Sequence, residues 1–261
     1  MFGVLAVLVP VVPIIVALII TSGTGHTATV TPARTQTSAY TPVTRSHAAA
    51  AKLHAATTTL PAGTGALVGY LTRPEALRSA PGGRTIGRLA TKTSFGSAET
   101  VLVRKVKSHW LGVVNVAAGN HRLGWIPSAH VALTRVDWQL HAILSRHELF
   151  VYHDGRVVRH YVIADGKPTA PTPTGTFAVT DKLNTGDPEG PYGCCILALS
   201  AKAPHEISDW DGGDRIAVHS TPDTSTIGQS VSHGCMHVTI PEGDWLIHHV
   251  PLGTPAVISS A

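Results

Sequence analysis

Ile216–Val238 reads IAVHSTPDTSTIGQSVSHGCMHV, and the chemistry and fold are read outward from it. Ile216–His219 is a short apolar strand that ends on a histidine. A polar, turn-rich loop follows, and Ser232-His233-Gly234-Cys235 closes it. A thiol becomes a nucleophile when a nearby imidazole takes its proton. Cys235 lies between His233 and His237, directly after Gly234. The glycine permits a tight turn that could aim the amides of Gly234 and Cys235 at a developing oxyanion. His219 precedes Cys235 by 16 residues, a distance that a strand–loop–strand return closes. The residues alone leave the neighbouring His233 and His237, and His219 across the loop, as imidazoles near the thiol.

Around this stretch the chain is strand-rich. Leu140–Ser145 and Glu148–Tyr152 are joined by a polar turn, and His153-Asp154-Gly155-Arg156 turns into Val157–Ala164. Phe177–Thr180, Cys195–Leu199 and Ile216–His219 follow, and Ala256–Ser259 closes the chain. One helix is expected. Pro241 stands in its first turn with Glu242 and Asp244 at the positive end, His248 and His249 lie near the negative end, and Pro251 stops it.

Upstream, Ala76–Ser79, Thr85–Leu89, Thr100–Val106, Trp110–Val116 and Arg122–Pro127 are short candidate strands. Pro81-Gly82-Gly83 and Ala118-Gly119-Asn120 supply turns. Five strands over about 70 residues suggest a small barrel. Residues 21–64 are rich in Thr, Ala, Ser and Pro, lack Asp and Glu, and read as a flexible stalk. Met1–Ile20 has no polar side chain and is long enough to cross a bilayer. Two readings stand for it. An uncleaved membrane anchor is favoured over a cleaved signal, because the charged n-region is missing and no clear small-x-small cleavage site follows. Both export the rest of the chain.

The 261 residues are 14% charged and 43% apolar, which excludes a disordered chain and a coiled coil. Three cysteines exclude a disulfide scaffold. The net charge of +4 is uneven: Met1–Thr134 carries 12 Lys+Arg against 2 Asp+Glu, and Arg135–Ala261 carries 8 against 14. A half at +10 beside a half at −6 suggests two modules, the basic one facing either an anionic partner or only solvent.

The combination His219-Ser220-Thr221, Ile227-Gly228 and Ser232-His233-Gly234-Cys235 resembles the L,D-transpeptidase (YkuD-type) catalytic domain. Pro171-Thr172-Pro173-Thr174-Gly175 and Tyr192-Gly193 extend the resemblance over residues 135–261. The order LRSAPGG, TIGRL, VLVRKVKSHWLGVV and HRLGWIPSAHVAL, with Trp110 and Gly124-Trp125-Ile126, is similar to a bacterial SH3-like wall-targeting domain over 65–134. Together they imply a mainly β chain: a transpeptidase-type β-sandwich with one short helix, preceded by a small SH3-like β-barrel.

The resemblance also implies roles. Cys235 is the nucleophile, His219 the general base, and Ser220 orients His219 through its carbonyl. His233 shapes the site, and the Gly234 and Cys235 amides form the oxyanion hole. Tyr192, Ser232 and His237 fall in the substrate pocket. The family often has Arg or Asn where this chain has His237, and a histidine cannot grip a carboxylate with two parallel hydrogen bonds. The implied substrate is the tetrapeptide stem of peptidoglycan. Cys235 would attack the carbonyl of its third residue, a diamino acid, and release D-Ala. A second stem's amine, or water in a carboxypeptidase, would resolve the acyl-enzyme. Implied partners are stem peptides, wall polymers and the membrane, with no nucleic acid, outside the bacterial cytoplasm. No metal or organic cofactor is needed.

Two rival readings remain. His219, His233, Cys235 and His237 are zinc-ligand types, and a wall-binding protein with an inactive catalytic domain would keep the same folds. Cys194-Cys195 reads as a reduced, buried pair, because adjacent cysteines form a strained ring when joined; the alternative is a disulfide from one of them to Cys235 that switches it off.

Overall fold

The computed structural model describes Thr41–Pro42 as backbone, and residues 62–204 and 214–261 in full. The proposed anchor, Met1–Ile20, lies outside the described residues, as does most of the proposed stalk. Among the described residues no helix is long and apolar enough to cross a membrane. These residues are mainly β with one α-helix.

The first sheet has seven strands: β1 (Ala66–Leu71), β2 (Glu75–Arg78), β3 (Thr85–Leu89), β4 (Thr100–Lys107), β5 (Trp110–Val114), β6 (Gly124–Pro127) and β7 (Val131–Val136). Their order is β3-β2-β6-β5-β4-β1-β7. The five expected strands are present, Thr85–Leu89 with the expected ends and the other four with shifted ends. The two additional ones, β1 and β7, pair antiparallel from Ala66↔Val136 to Leu71↔Val131. Leu77, Val101, Leu111, Val113 and Ile126 fill the interior. Trp110 and Trp125 are only half-buried, and the Arg78 guanidinium lies 6.0 Å from the Trp110 ring.

The second sheet contains β8 (Trp138–Ile143), β9 (Glu148–His153), β10 (Arg156–Val162), β11 (Gly175–Asn184), β12 (Cys195–Lys202), β13 (Arg215–Thr221), β14 (Met236–Thr239) and β15 (Pro255–Ser259). Its order is β10-β9-β8-β15-β11-β12-β13-β14. Both faces of the expected sandwich belong to this one sheet, which turns at the ten-residue β11. Gly175–Ala178 pair with β15, and Val179–Asn184 pair with β12. Leu140, Leu149 and Tyr161 from one end therefore meet Leu197, Ile216 and Val238 from the other in a single core. Thr41 and Pro42, inside the stretch read as a stalk, pair with Asn184 and Leu183 at the end of β11.

Helix α1 (Ile240–His249) follows β14 without a loop. Its start is specified locally. Thr239 and Glu242 form a reciprocal capping box, and Pro241 stands at the first turn. Leu246 and Ile247 face the core. Gly243 brings the helix backbone against Ser220, whose Cβ and Oγ lie 2.9 Å from where a Gly243 Cβ would be.

The two sheets share a boundary. Val68, Leu102 and Val136 pack with Ala178 of β11. Asn120 donates to the Lys202 carbonyl at 2.8 Å and accepts from the Lys202 amide at 3.0 Å. The Thr93 hydroxyl donates to Asp181, a fully buried carboxylate on β11.

Candidate active site

Strand β13 has two faces that alternate with its residues. Ile216 and Val218 enter the main core. Ala217 lies on the other side, in a cluster with Leu183, Ile196 and Ala198 against which Cys235 and Tyr192 pack. His219 and Arg215 share this second face by period. Strand β14 runs parallel to β13 with Val218 opposite Met236 and His219 opposite His237. That register brings Cys235, one residue before β14, beside Ala217. The Cys235 thiol donates to the Arg215 carbonyl at 3.9 Å, and the Ala217 backbone hydrogen-bonds the sulfur. The nucleophile candidate is thus fixed against the edge of the strand that carries its base candidate.

His219 is buried, and its Nδ1 donates to the Ser220 carbonyl at 2.9 Å. A carbonyl can only accept, so the neutral ring carries its proton on Nδ1 and leaves the lone pair on Nε2. The Tyr192 ring meets it edge-on at 5.1 Å, and the His237 ring lies 4.4 Å away. Burial, and secondarily the His237 beside it, push His219 down to about 3, against the opposing effect of the Ser220 hydrogen bond. Burial pushes the Cys235 thiol up to about 11, and the Ala217 hydrogen bond acts the other way. Both effects disfavour charge, so the resting pair is a neutral imidazole and a neutral thiol. His237 is also lowered, by burial first and then by His233.

The turn before Cys235 is held by side chains. Gly234 has φ +112°, a backbone region that favours glycine, and a Cβ there would sit 2.9 Å from Ile216 Cδ1. Thr172, in the Pro-Thr-Pro-Thr-Gly stretch, donates to the Gly234 carbonyl at 2.9 Å and accepts from the Gly166 amide at 2.9 Å. Lys167 Nζ donates to His233 Nε2 at 3.0 Å. A cleft of about 290 Å³ opens over the cysteine, lined among others by Arg215, His219, Val231, Ser232, His233 and His237.

Residues 137–258 match the L,D-transpeptidase catalytic domain family, YkuD. This segment is therefore similar to an L,D-transpeptidase catalytic domain of the YkuD type. The "Putative L,D-transpeptidase YkuD" of Bacillus licheniformis is 29% identical over 124 residues, covering 48% of this chain and 67% of that protein. The "Putative L,D-transpeptidase YqjB" of Bacillus subtilis is 30% identical over 122 residues, covering 43% and 65%. The chain thus spans about two thirds of the length of these two relatives. Among solved structures, an L,D-transpeptidase from Mycobacterium smegmatis is 22% identical, with 61% of this chain and 99% of that chain covered, at a TM-score of 0.38. The catalytic domain of the E. faecium L,D-transpeptidase is 26% identical, with 47% and 96% covered, at 0.34.

Within residues 137–258, Cys235, His219, His233 and His237 line one cleft, Ser220 backs His219, and Tyr192 covers its edge. Two expectations need correction. The Gly234 amide donates to Ser232 Oγ at 3.0 Å, so its single hydrogen is committed and only the Cys235 amide of that turn is uncommitted among the described residues. The Ser232 hydroxyl also donates to the Cys235 carbonyl at 2.6 Å, and the residue borders the cleft. Cys194 and Cys195 are joined by a disulfide rather than reduced. Among the described residues no group of three His, Cys, Asp or Glu side chains is placed to hold a metal ion, so the zinc-ligand types do not converge as a metal shell.

Thr172, Lys167 and Arg215 are the site residues that sequence reasoning missed. Thr172 lies in a quoted motif, and only the fold shows that its hydroxyl braces the cysteine turn. Gly243→Ala tests the support behind Ser220. Its Cβ would press on Ser220, whose carbonyl sets the His219 tautomer. The expected outcome is a loss of ~1–3 kcal/mol in stability with slower acylation, read from a thermal melt and a carbapenem labelling rate.

Proposed function

We propose that this protein is a peptidoglycan L,D-transpeptidase with Cys235 as nucleophile and His219 as base. The observation that carries the reading is the pairing of a strand-anchored Cys235 with a buried His219 whose Nδ1 is tied to Ser220. As Sγ attacks the carbonyl carbon of the third residue of a stem, His219 Nε2 takes the thiol proton. The oxyanion faces the Cys235 amide. Collapse breaks the amide bond, and His219 returns the proton to the departing D-Ala nitrogen, leaving a thioester. An amine of a second stem then attacks the thioester, His219 takes its proton, and the free thiol is restored. Water in place of the amine gives hydrolysis. Incubation with a purified tetrapeptide stem, followed by mass spectrometry, tests this: a cross-linked dimer and free D-Ala are expected, and intact stem alone would overturn it.

The first sheet is read as an SH3-like wall-binding module, and Met1–Ile20 as its tether to the membrane, on the sequence pattern already described. Arg104, Lys105 and Lys107 form an exposed basic run on β4. Wall polymers carry carboxylates and phosphates, which such a surface attracts until salt screens it. Changing all three residues to Glu should reduce co-sedimentation with purified wall at low salt and make no difference at high salt. Equal sedimentation at low salt would leave the module a structural role only. Deletion of the module is the poorer test, since Val68, Leu102 and Val136 cover Ala178 of the catalytic sheet.

A further inference from the structure

We propose that Arg215 is the specificity residue of the cleft, gripping a carboxylate on the side chain of the donor stem's third residue. The proposal rests on the transpeptidase reading. It makes the preferred donor a diamino acid whose side chain carries a free acid group, rather than an amide or a plain amine.

Arg215 and His219 share one face of β13, separated by Ala217, and lie ~13 Å apart along the strand. The methyl of Ala217 leaves a trough between them, and Cys235 packs onto Ala217. A donor carbonyl at Cys235 would therefore place an extended side chain along that trough, with its far end toward Arg215. Arg215 and Asp214 are the charged residues lining the cleft besides its histidines, and Asp214 is already paired with Lys202 at 2.6 Å. His237 is held below the usual histidine range, by burial first and then by His233.

The guanidinium is fixed from one side. Nη1 donates to Thr180 Oγ1 at 2.9 Å and to the Leu199 carbonyl at 3.3 Å, and lies 3.7 Å from Asp181 Oδ2. The Phe95 ring, contributed by the first sheet's β3–β4 connection, sits 6.0 Å away. Nε and Nη2 have no partner among the described residues. A planar fork held at one nitrogen and open at the others suits a second, bidentate anion. Asp181 is the one carboxylate within ion-pair distance of the guanidinium, and Glu99 and Asp214 also act on its charge.

The test compares two tetrapeptide stems that differ only in a free or amidated side-chain carboxyl at the third residue. Arg215→Met should lower kcat/KM on the free-acid stem by ~10–100-fold, mainly through KM, the range expected for lost hydrogen bonds to a charged group. The amidated stem should change by less than about threefold on the same reasoning. Arg215→Lys keeps the charge that Asp181 needs and loses the fork. It should show a smaller loss confined to the free-acid stem, and it carries the test if the Met variant does not fold. Equal losses on both stems would make Arg215 a structural prop and overturn the proposal, as would no loss on either. A second readout is independent of peptidoglycan. Alkylation of Cys235 by iodoacetate relative to iodoacetamide should fall in the Arg215 variants. An unchanged ratio overturns the role of Arg215. A lowered ratio in a protein that processes neither stem overturns the transpeptidase reading and leaves the anion site standing.

Discussion

Cys235→Ala leaves a folded protein that neither releases D-Ala from a tetrapeptide stem nor joins two stems. The expected loss is at least ~10⁴-fold, the scale seen when a covalent nucleophile is removed. No other thiol can take its place: Cys194 and Cys195 are joined to each other, and both precede β12 or begin it, behind Ser220. The fold should tolerate the change. Removing Sγ deletes one atom of a half-buried residue that packs against the Leu183, Ile196, Ala198 and Ala217 cluster, a cost of ~1 kcal/mol. Two measurements check it together. Carbapenem adduct formation, followed by intact-mass spectrometry, should disappear, while the thermal melt shifts by only a few degrees. An adduct on the Ala variant would mean that another residue is the nucleophile. Cys235→Ser is the weaker control, since a hydroxyl beside an imidazole can retain a trace of activity.

The proximity of the proposed pair, His219 and Cys235, was legible in the sequence because it is a matter of local register. Sixteen residues separate His219 from Cys235, and a parallel pairing of Val218 with Met236 is what such a return produces. Helix α1 was equally legible, since its capping residues and prolines act within one turn. What stayed hidden depends on partners distant in sequence. Nothing near Lys167 says that it reaches His233, 66 residues on, and nothing near Thr172 says that it holds the Gly234 carbonyl. The role of the Gly234 amide was misread for a related reason. A serine two residues back can take that hydrogen, and motif spacing does not reveal which of the two acceptors, hydroxyl or substrate, it meets. The strands β1 and β7 were missed because Ala66–Leu71 and Val131–Val136 lack clean alternation; each is defined by its pairing with the other.

The pH profile of His219 is the second large effect, and here the structure moves the expectation. An unperturbed histidine would place the acid limb of acylation near pH 6–7, with an order-of-magnitude reference of ~6.5. Burial lowers His219 to about 3. The base is active when neutral, so a lowered value widens the active range: the rate of acylation by a carbapenem should be level across neutral and mildly acidic pH and fall only as the pH approaches 3. Single-turnover kcat/KM reads this, because it reports groups of the free enzyme. An imidazolium–thiolate pair is the alternative ground state, and it is disfavoured at both ends, by burial of the imidazole and by burial of a thiol near 11. His219→Ala should cost ~10²–10⁴-fold. It should also convert the level profile into one that rises about tenfold per pH unit through the alkaline range, because the remaining rate follows the thiolate alone. His233→Ala should slow the reaction by loosening the turn that Lys167 and Thr172 brace, yet keep the level profile, because the base is untouched. A wild-type acid limb at pH 6–7 would show that the reacting base is not the buried His219. Exchange of the two variants' profiles would name that base as His233.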